Sequence, residues 1–203
     1  MKKILISSLI VILIIVFTIS NGFSSQSQQE VIKNINSIYN KYPTIKSKFK
    51  QIDALGKTSY GWFIIDKKNS KARIEYTSIP LRIIANNNSV MLEQIDLQEK
   101  TFSPLAASPF KYIINKDATL DNPSLIISNF VNTTNGYNIT INSKQDNFKG
   151  VITLSFNKKF YLVGWSIIDE IGNTTNVTLI NPSYSSNKIS SNIFNTHRVI
   201  NLN

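Results

Sequence analysis

The chain has 203 residues, of which 42% are hydrophobic, and it carries a formal net charge of +10 with no cysteine. The length suffices for one domain with a substantial core, and the missing thiol excludes thiol catalysis, disulfides and zinc–thiolate sites. The lysines are spread without a dense basic cluster, which favours a solvated basic surface over a nucleic-acid interface. Weak attraction to anionic membranes or to an acidic partner stays open.

The N-terminal segment has the layout of a secretory signal peptide. Two lysines precede an apolar run at residues 4–17, and small or polar residues follow it. This order predicts a signal peptide over residues 1–24, cleaved between Ser20 and Ser25, and one domain over residues 25–203 in the periplasm. The alternative is an uncleaved membrane anchor, because the run approaches the length that spans a bilayer.

The first half of the remaining chain predicts one helix followed by a meander of strands. Apolar residues at helical spacing predict an amphipathic helix over residues 28–42, which Pro43 ends. Alternation then begins, and residues 45–52 predict the first strand. Further apolar runs follow at short intervals, and the asparagines at residues 86–88 are typical of a tight hairpin turn.

The middle of the chain interrupts this pattern. Ser108 followed by Pro109 is a good helix start, and a second short apolar helix is predicted over residues 125–130. Strands resume afterwards, with a hairpin turn at residues 172–173 and a terminal strand over residues 191–200. The pattern predicts an α+β domain built on a single curled antiparallel sheet, with an N-terminal helix and an apolar helical insertion.

Residues suited to catalysis or metal binding are scattered. The single histidine, His197, has no carboxylate near it in sequence, and a surface position is the expectation. Asp169 and Glu170 are neighbours whose side chains would point to opposite faces of a strand. No glycine-rich phosphate loop or Gly-x-Ser-x-Gly motif occurs. We therefore expect no enzyme, no metal and no cofactor.

The sequence instead has more apolar side chains on one strand than a half-buried strand requires. Residues 62–65, Trp-Phe-Ile-Ile, put large apolar groups on both faces of one strand, whereas a half-buried strand alternates. A curled sheet with helices across its open face encloses an apolar cavity if the core is incompletely filled. The alternative is an ordinary packed core.

Several stretches together resemble the periplasmic outer-membrane lipoprotein carrier proteins, the LolA family. They include "SKFKQ", "GWFIIDKKNSKARIEYTSIP", "NNNSVMLEQIDLQEKTF" and "SPLAASPFKYII". The stretch "LSFNKKFYLVGWSIIDEIGNTTNVTLIN" is similar to the late hairpin of the family. The resemblance runs in the family's order from the first helix to the last strand.

The resemblance implies an incomplete antiparallel β-barrel with a short helical lid over an apolar cavity. Such a carrier binds the acyl chains of lipoproteins that an inner-membrane ABC transporter releases, and it delivers them to an outer-membrane receptor where one is present. It would act as a monomer, without a cofactor and without hydrolysing anything. The alternative is a periplasmic module of the same fold that senses lipid or lipoprotein.

The resemblance and the strand alternation together assign candidate site residues. Lys67 stands where the family has an arginine that helps control lid opening, and it is either a lid latch or a solvated turn residue. Phe110, Ile113 and Ile114 are expected to fill the empty cavity and to swing out when lipid enters. The cavity is expected to be lined by Phe49, Phe63, Ile65, Ile74, Tyr76, Ile83, Leu92, Phe110, Ile113, Ile114 and Trp165.

Overall fold

A computed structural model describes residues 26–86, 88–117, 119–143 and 150–195. The expected signal peptide and His197 lie outside the described residues. No helix within these ranges has both the length and the apolar character that crossing a membrane requires. The helices are α1 (Gln28–Lys41) and α2 (Lys111–Ile114), and the strands are β1 (Thr44–Ile52), β2 (Thr58–Asp66), β3 (Lys71–Tyr76), β4 (Leu81–Asn86), β5 (Ser89–Gln94), β6 (Glu99–Pro104), β7 (Leu125–Thr133), β8 (Gly136–Ser143), β9 (Val151–Asn157), β10 (Leu162–Ile168) and β11 (Thr174–Ser185).

Helix α1 lies where the apolar spacing predicts it. The Ser27 hydroxyl caps it by accepting a 3.2 Å hydrogen bond from the backbone N–H of Glu30, and an acidic first turn with a basic last turn suits the helix dipole. The helix ends just before Pro43, which cannot continue it. Its buried apolar side chains are Val31, Ile32, Ile35 and Tyr39.

The strands of the described residues form one eleven-stranded antiparallel sheet in the order β6-β5-β4-β3-β2-β1-β11-β10-β9-β8-β7. Consecutive strands pair with each other, except that β6 does not pair with β7. Strand β1 also pairs with β11, and this pairing joins the two halves. Strands β6 and β7 are the two free edges, so the sheet curls without closing into a barrel. The predicted α+β fold is confirmed.

Two predicted elements are wrong. Residues 125–130 belong to strand β7, not to a helix, because pairing with β8 satisfies the backbone and packs one half-buried face against the core. A bulge between Ile127 and Asn129 breaks the alternation that would have revealed this strand. The described part of the expected terminal strand is instead a 3₁₀ turn at Ser191–Phe194.

That 3₁₀ turn explains why β2 is apolar on both faces. Ile64 is fully buried on the outer face of the sheet, in a cluster with Ile189 and Phe194. Residues 189–195, the C-terminal strap, therefore lie across the outside of β2 and β3. The guanidinium of Arg73 on β3 donates to the backbone carbonyls of Ile193 at 3.0 Å and Asn195 at 3.2 Å. The chain itself covers the second apolar face.

Beside the strap, charged side chains form a ladder across four strands of the outer face. Arg82 lies between two carboxylates, with 2.6 Å from its Nε to Glu75 Oε1 and 3.0 Å from its Nη1 to Glu93 Oε2. The Nη2 of Arg73 contacts Glu75 Oε1 at 2.5 Å, and Lys100 Nζ lies 3.5 Å from Glu93 Oε1. Opposite charges that face each other on neighbouring strands stabilise this register.

Candidate functional site

An apolar cavity of about 290 Å³ lies inside the curl of the sheet. This volume is at the lower end of the range for small-molecule sites. The cavity draws its wall from both halves of the sheet and from the segment before α2. Its lining residues are Phe49, Gln51, Phe63, Ile74, Tyr76, Leu81, Ile83, Leu92, Phe110, Trp165, Ile167, Thr175 and Val177.

Strand register brings the cavity floor together. Phe63, Ile74, Ile83 and Leu92 are successive cross-strand partners on β2 to β5, so their side chains point to the same face. Trp165 reaches the floor from β10, with its ring centroid 5.9 Å from that of Phe63. Aromatic rings in mutual contact are held in place, so the floor is preformed rather than assembled on binding.

The mouth of the cavity lies where strands β1, β3, β4, β10 and β11 meet the turns at one end of the sheet. The half-buried residues there include Tyr76 and Gln51, and the Tyr76 hydroxyl donates a 2.7 Å hydrogen bond to Gln51 Oε1. Burial raises the pKa of Tyr76. The phenol therefore stays neutral at physiological pH, and the mouth presents one uncharged polar pair on an apolar rim.

A short lid closes the side of the cavity. Phe110 lines the cavity, whereas Ile113 and Ile114 on α2 are each 1% exposed in the adjoining core. The segment after α2 is tied down, because the Lys116 backbone N–H donates to Ser70 Oγ at 3.0 Å and that of Leu120 donates to Asn36 Oδ1 at 3.1 Å. Hydrogen bonds thus hold the segment after the lid to the turn before β3 and to α1.

The structure brings most of the residues predicted from the sequence to one cavity. Ile65, Ile113 and Ile114 lie in the buried core around the cavity but do not line the cavity itself. The sequence reasoning missed five lining residues, most of which lie two positions from a predicted one and so share its strand face. The predicted residues that line the cavity are Phe49, Phe63, Ile74, Tyr76, Ile83, Leu92, Phe110 and Trp165, and the missed ones are Gln51, Leu81, Ile167, Thr175 and Val177.

Lys67 lies at the opposite end of the sheet from the mouth, and it is not a solvated turn residue. It is only 5% exposed, and its Nζ lies 4.4 Å from the centre of the Tyr39 ring on α1. Its backbone N–H donates to the Pro43 carbonyl at 2.9 Å. Lys67 also lines a cleft together with Lys116 and Asp117, which follow α2. Burial lowers the pKa of Lys67 from 10.5 to about 8, so it is still a cation at neutral pH.

We predict that wild-type protein gains stability relative to Lys67→Met as the pH rises above 8. Because the buried lysine loses its proton near pH 8 and the unfolded one near 10.5, the unfolded state binds more protons within this window. The gain over the window is about 3 kcal/mol. The measurement is the free energy of unfolding in urea at several pH values, and parallel pH curves for the two proteins would contradict the prediction.

The comparisons with known proteins agree with this geometry. The family model of the outer membrane lipoprotein carrier protein LolA matches residues 40–197, most of the chain. The chain belongs to the LolA family. No curated protein matches it in sequence. The family takes its description from a carrier of outer membrane lipoproteins.

Solved structures of distant proteins are similar to this chain over most of its length. A DUF1329 family protein from Desulfovibrio piger is similar over 82% of this chain and 95% of its own, with 9% identity and a TM-score of 0.50. A LolA superfamily protein from Nitrosomonas europaea is similar over 85% of this chain and 99% of its own, with 6% identity and a TM-score of 0.48. At such identities the likeness concerns the fold alone.

Proposed function

We propose that this LolA-family protein is a periplasmic carrier that binds the acyl chains of lipoproteins and moves them between membranes. It would receive them from an inner-membrane ABC transporter, act as a monomer, and pass them to an outer-membrane receptor where one is present. The observation that carries the proposal is the apolar cavity inside the curled sheet, with its preformed aromatic floor. Membership of the family supports the same function.

The cavity wall suits binding rather than catalysis. Among the described residues that line it there is no carboxylate, histidine or lysine, so no acid, base or strong nucleophile faces the space. The polar groups on the wall are Gln51, Thr175 and the Tyr76 hydroxyl. A hydrocarbon chain would lose little by contact with these few groups, whereas a charged ligand would find no counter-ion.

The size of the cavity constrains how cargo enters. If a methylene occupies about the volume of a water molecule, about 30 Å³, the space of about 290 Å³ holds roughly ten methylenes. At about 0.8 kcal/mol each, their burial contributes about 8 kcal/mol. A lipoprotein carries more hydrocarbon than this, so we infer that Phe110, Ile113 and Ile114 swing out to enlarge the space. The contacts they break offset part of the gain and keep the transfer reversible.

Lys67 fits the role of a lid latch within this proposal. Its ammonium group packs on α1 through the Tyr39 ring, and it lines the same cleft as Lys116 just after the lid. Lys67 thus lies beside the segment that follows the lid, which would move if the lid opens. Because Lys67 is buried, its position supports the role of a latch over that of a solvated turn residue.

We predict that Phe110→Glu weakens the binding of a fluorescent acylated peptide at least tenfold, because the variant places a carboxylate against the apolar cavity. The matched control is Phe102→Glu, which introduces the same charge at a side chain that is 65% exposed on β6. The measurement is fluorescence titration of both variants and of the wild type. Equal affinities for all three would remove Phe110 from the lid mechanism.

The carrier function itself is tested by release. Purified protein starting at Ser25 is incubated with spheroplasts that make a labelled triacylated lipoprotein, and the supernatant is examined for a one-to-one complex. Release supports the carrier function. Failure alongside a working control carrier would favour a sensing module of the same fold.

A further inference from the structure

Two turns of this fold are copies of each other. Residues 53–57 read Asp-Ala-Leu-Gly-Lys and connect β1 to β2, while residues 169–173 read Asp-Glu-Ile-Gly-Asn and connect β10 to β11. In the first turn, Asp53 Oδ1 accepts hydrogen bonds from the backbone N–H of Leu55 at 3.0 Å and of Lys57 at 2.9 Å. In the second, Asp169 Oδ1 accepts the equivalent bonds at 3.0 Å and 2.8 Å.

The turn geometry explains the aspartate and the glycine of each turn but not the aliphatic residue between them. Gly56 and Gly172 have φ of 79° and 88°, a conformation that favours glycine, and each donates its N–H to the aspartate carbonyl, at 3.0 Å and 3.1 Å. The third residue of each turn points away from the fold, since Leu55 is 94% exposed and Ile171 79% exposed. A polar residue would fit the turn equally well.

Both turns stand beside the mouth of the apolar cavity. Because β1 and β11 are antiparallel neighbours, the two hairpins end on the same side of the sheet. Gln51 of the cavity wall lies two residues before the first turn, and Ile167 and Thr175 flank the second. The β5–β6 turn, residues 95–98, also ends here and adds two exposed apolar side chains, Ile95 at 41% and Leu97 at 59%.

We propose that Leu55 and Ile171, the aliphatic prongs, insert into the surface of a lipid bilayer and set the cavity mouth against it. The inference rests on the proposed function, because it names the surface from which the acyl chains come or to which they go. An acyl chain that moves between the bilayer and the cavity would then pass from one apolar medium to another without crossing open water.

A bilayer fits the prongs better than a protein partner does. The two side chains are single and separate, each at the tip of a hydrogen-bonded turn, whereas protein interfaces bury a continuous well-packed patch. A fluid surface accepts isolated apolar side chains at any spacing, as it does for interfacial anchors. At the two turns the acidic groups of Asp53, Asp169 and Glu170 outnumber the single cation, Lys57. The turns therefore carry no net positive charge to attract anionic lipid, and the insertion we infer is apolar rather than electrostatic.

The absence of cysteine from the sequence allows a direct test. Single variants Leu55→Cys and Ile171→Cys are labelled with the environment-sensitive dye NBD and mixed with neutral phosphatidylcholine vesicles. Ser186→Cys, exposed at the opposite end of the sheet, is the matched control. We expect blue-shifted, brighter NBD emission at both prongs and no change at residue 186. A change confined to residue 186, or at none of the three positions, would overturn the proposal.

The double variant Leu55→Ser with Ile171→Ser measures the contribution of the prongs. Vesicle partitioning should fall about tenfold for each side chain removed, while the thermal midpoint stays unchanged because neither side chain packs in the fold. Phe102→Ser, which removes an exposed apolar side chain from β6 away from this end, should partition like the wild type. Wild-type partitioning by the double variant would overturn the proposal, as would self-association through the prongs without vesicle binding.

The same double variant separates this inference from the proposed function. It should bind the fluorescent acylated peptide with wild-type affinity, because the prongs lie outside the cavity. If the prongs insert into vesicles but the protein binds no acylated peptide, the proposed function is refuted and the membrane contact remains supported. Peptide binding without insertion would refute only the membrane contact.

Discussion

Replacing Glu75 by alanine should destabilise the fold by about 3–5 kcal/mol, the usual cost of removing one partner from a buried ion pair. Glu75 accepts from both Arg73 and Arg82, whose side chains are 0% and 9% exposed. The variant would leave two buried guanidinium groups without their shared carboxylate. For a domain whose total stability is about 5–15 kcal/mol, this loss is a large fraction of the free energy of unfolding.

The exposed end of the same ladder supplies the control. Lys100 pairs with Glu93 but its side chain is 32% exposed, so Lys100→Ala should change the free energy of unfolding by less than about 1 kcal/mol. The measurement is the urea midpoint of both variants and of the wild type. If Glu75→Ala were no less stable than Lys100→Ala, the ladder would contribute little to the free energy of unfolding. The contacts of the C-terminal strap would then be the main stabilising contacts on the outer face.

Replacing Gly61 by alanine should cost about 2 kcal/mol or more, although glycine inside a strand is normally destabilising relative to alanine by about 0.5–1 kcal/mol. A Cβ at this position would lie 2.2 Å from the carbonyl oxygen of Glu75 and 2.6 Å from Cζ of Phe49. The first contact is with backbone, so β2 and β3 would have to move apart. The second would push a cavity-lining ring inward and reduce the space for ligand.

The neighbouring residue supplies the control for Gly61→Ala. Tyr60→Ala, a change at the neighbouring side chain that is 47% exposed, should alter stability by less than about 1 kcal/mol. The measurements are the urea midpoint and the affinity for the acylated peptide, both of which should fall in Gly61→Ala. A variant as stable as the wild type would mean that the strands can separate freely at this point.

The sequence allowed the prediction of those parts of the fold in which local pattern and tertiary structure agree. Helix α1 has helical spacing, a serine cap and a proline stop, and the floor residues Phe63, Ile74 and Ile83 alternate along their strands. The resemblance to the LolA family favoured a cavity over an ordinary packed core, a choice that alternation alone left open. Most of the missed wall residues, such as Gln51 and Ile167, lie two positions beyond a predicted one.

The remaining features depend on contacts that are remote in sequence. No local pattern shows that residues 189–195 return to cover Ile64. From the sequence alone, the second apolar face of β2 could therefore be covered by a partner or by the chain itself. The burial of Lys67 depends equally on Tyr39, a residue of another element. The bulge in β7 misleads in the opposite way. It interrupts the alternation of an apolar run, and such a run is predicted as a helix until its pairing partner is known.

The pairing of β1 with β11 also governs when the cavity comes into existence. The hydroxyl of Ser47 on β1 donates to the carbonyl of Ile180 on β11, 133 residues further along the chain. A topology with such high contact order folds slowly, and synthesis delivers β1 long before β11. During that interval the edge of β1 is open to pairing with other chains. Trp165, Ile167 and Val177 belong to the late half, so a nascent chain has no complete apolar cavity until its final strand has docked.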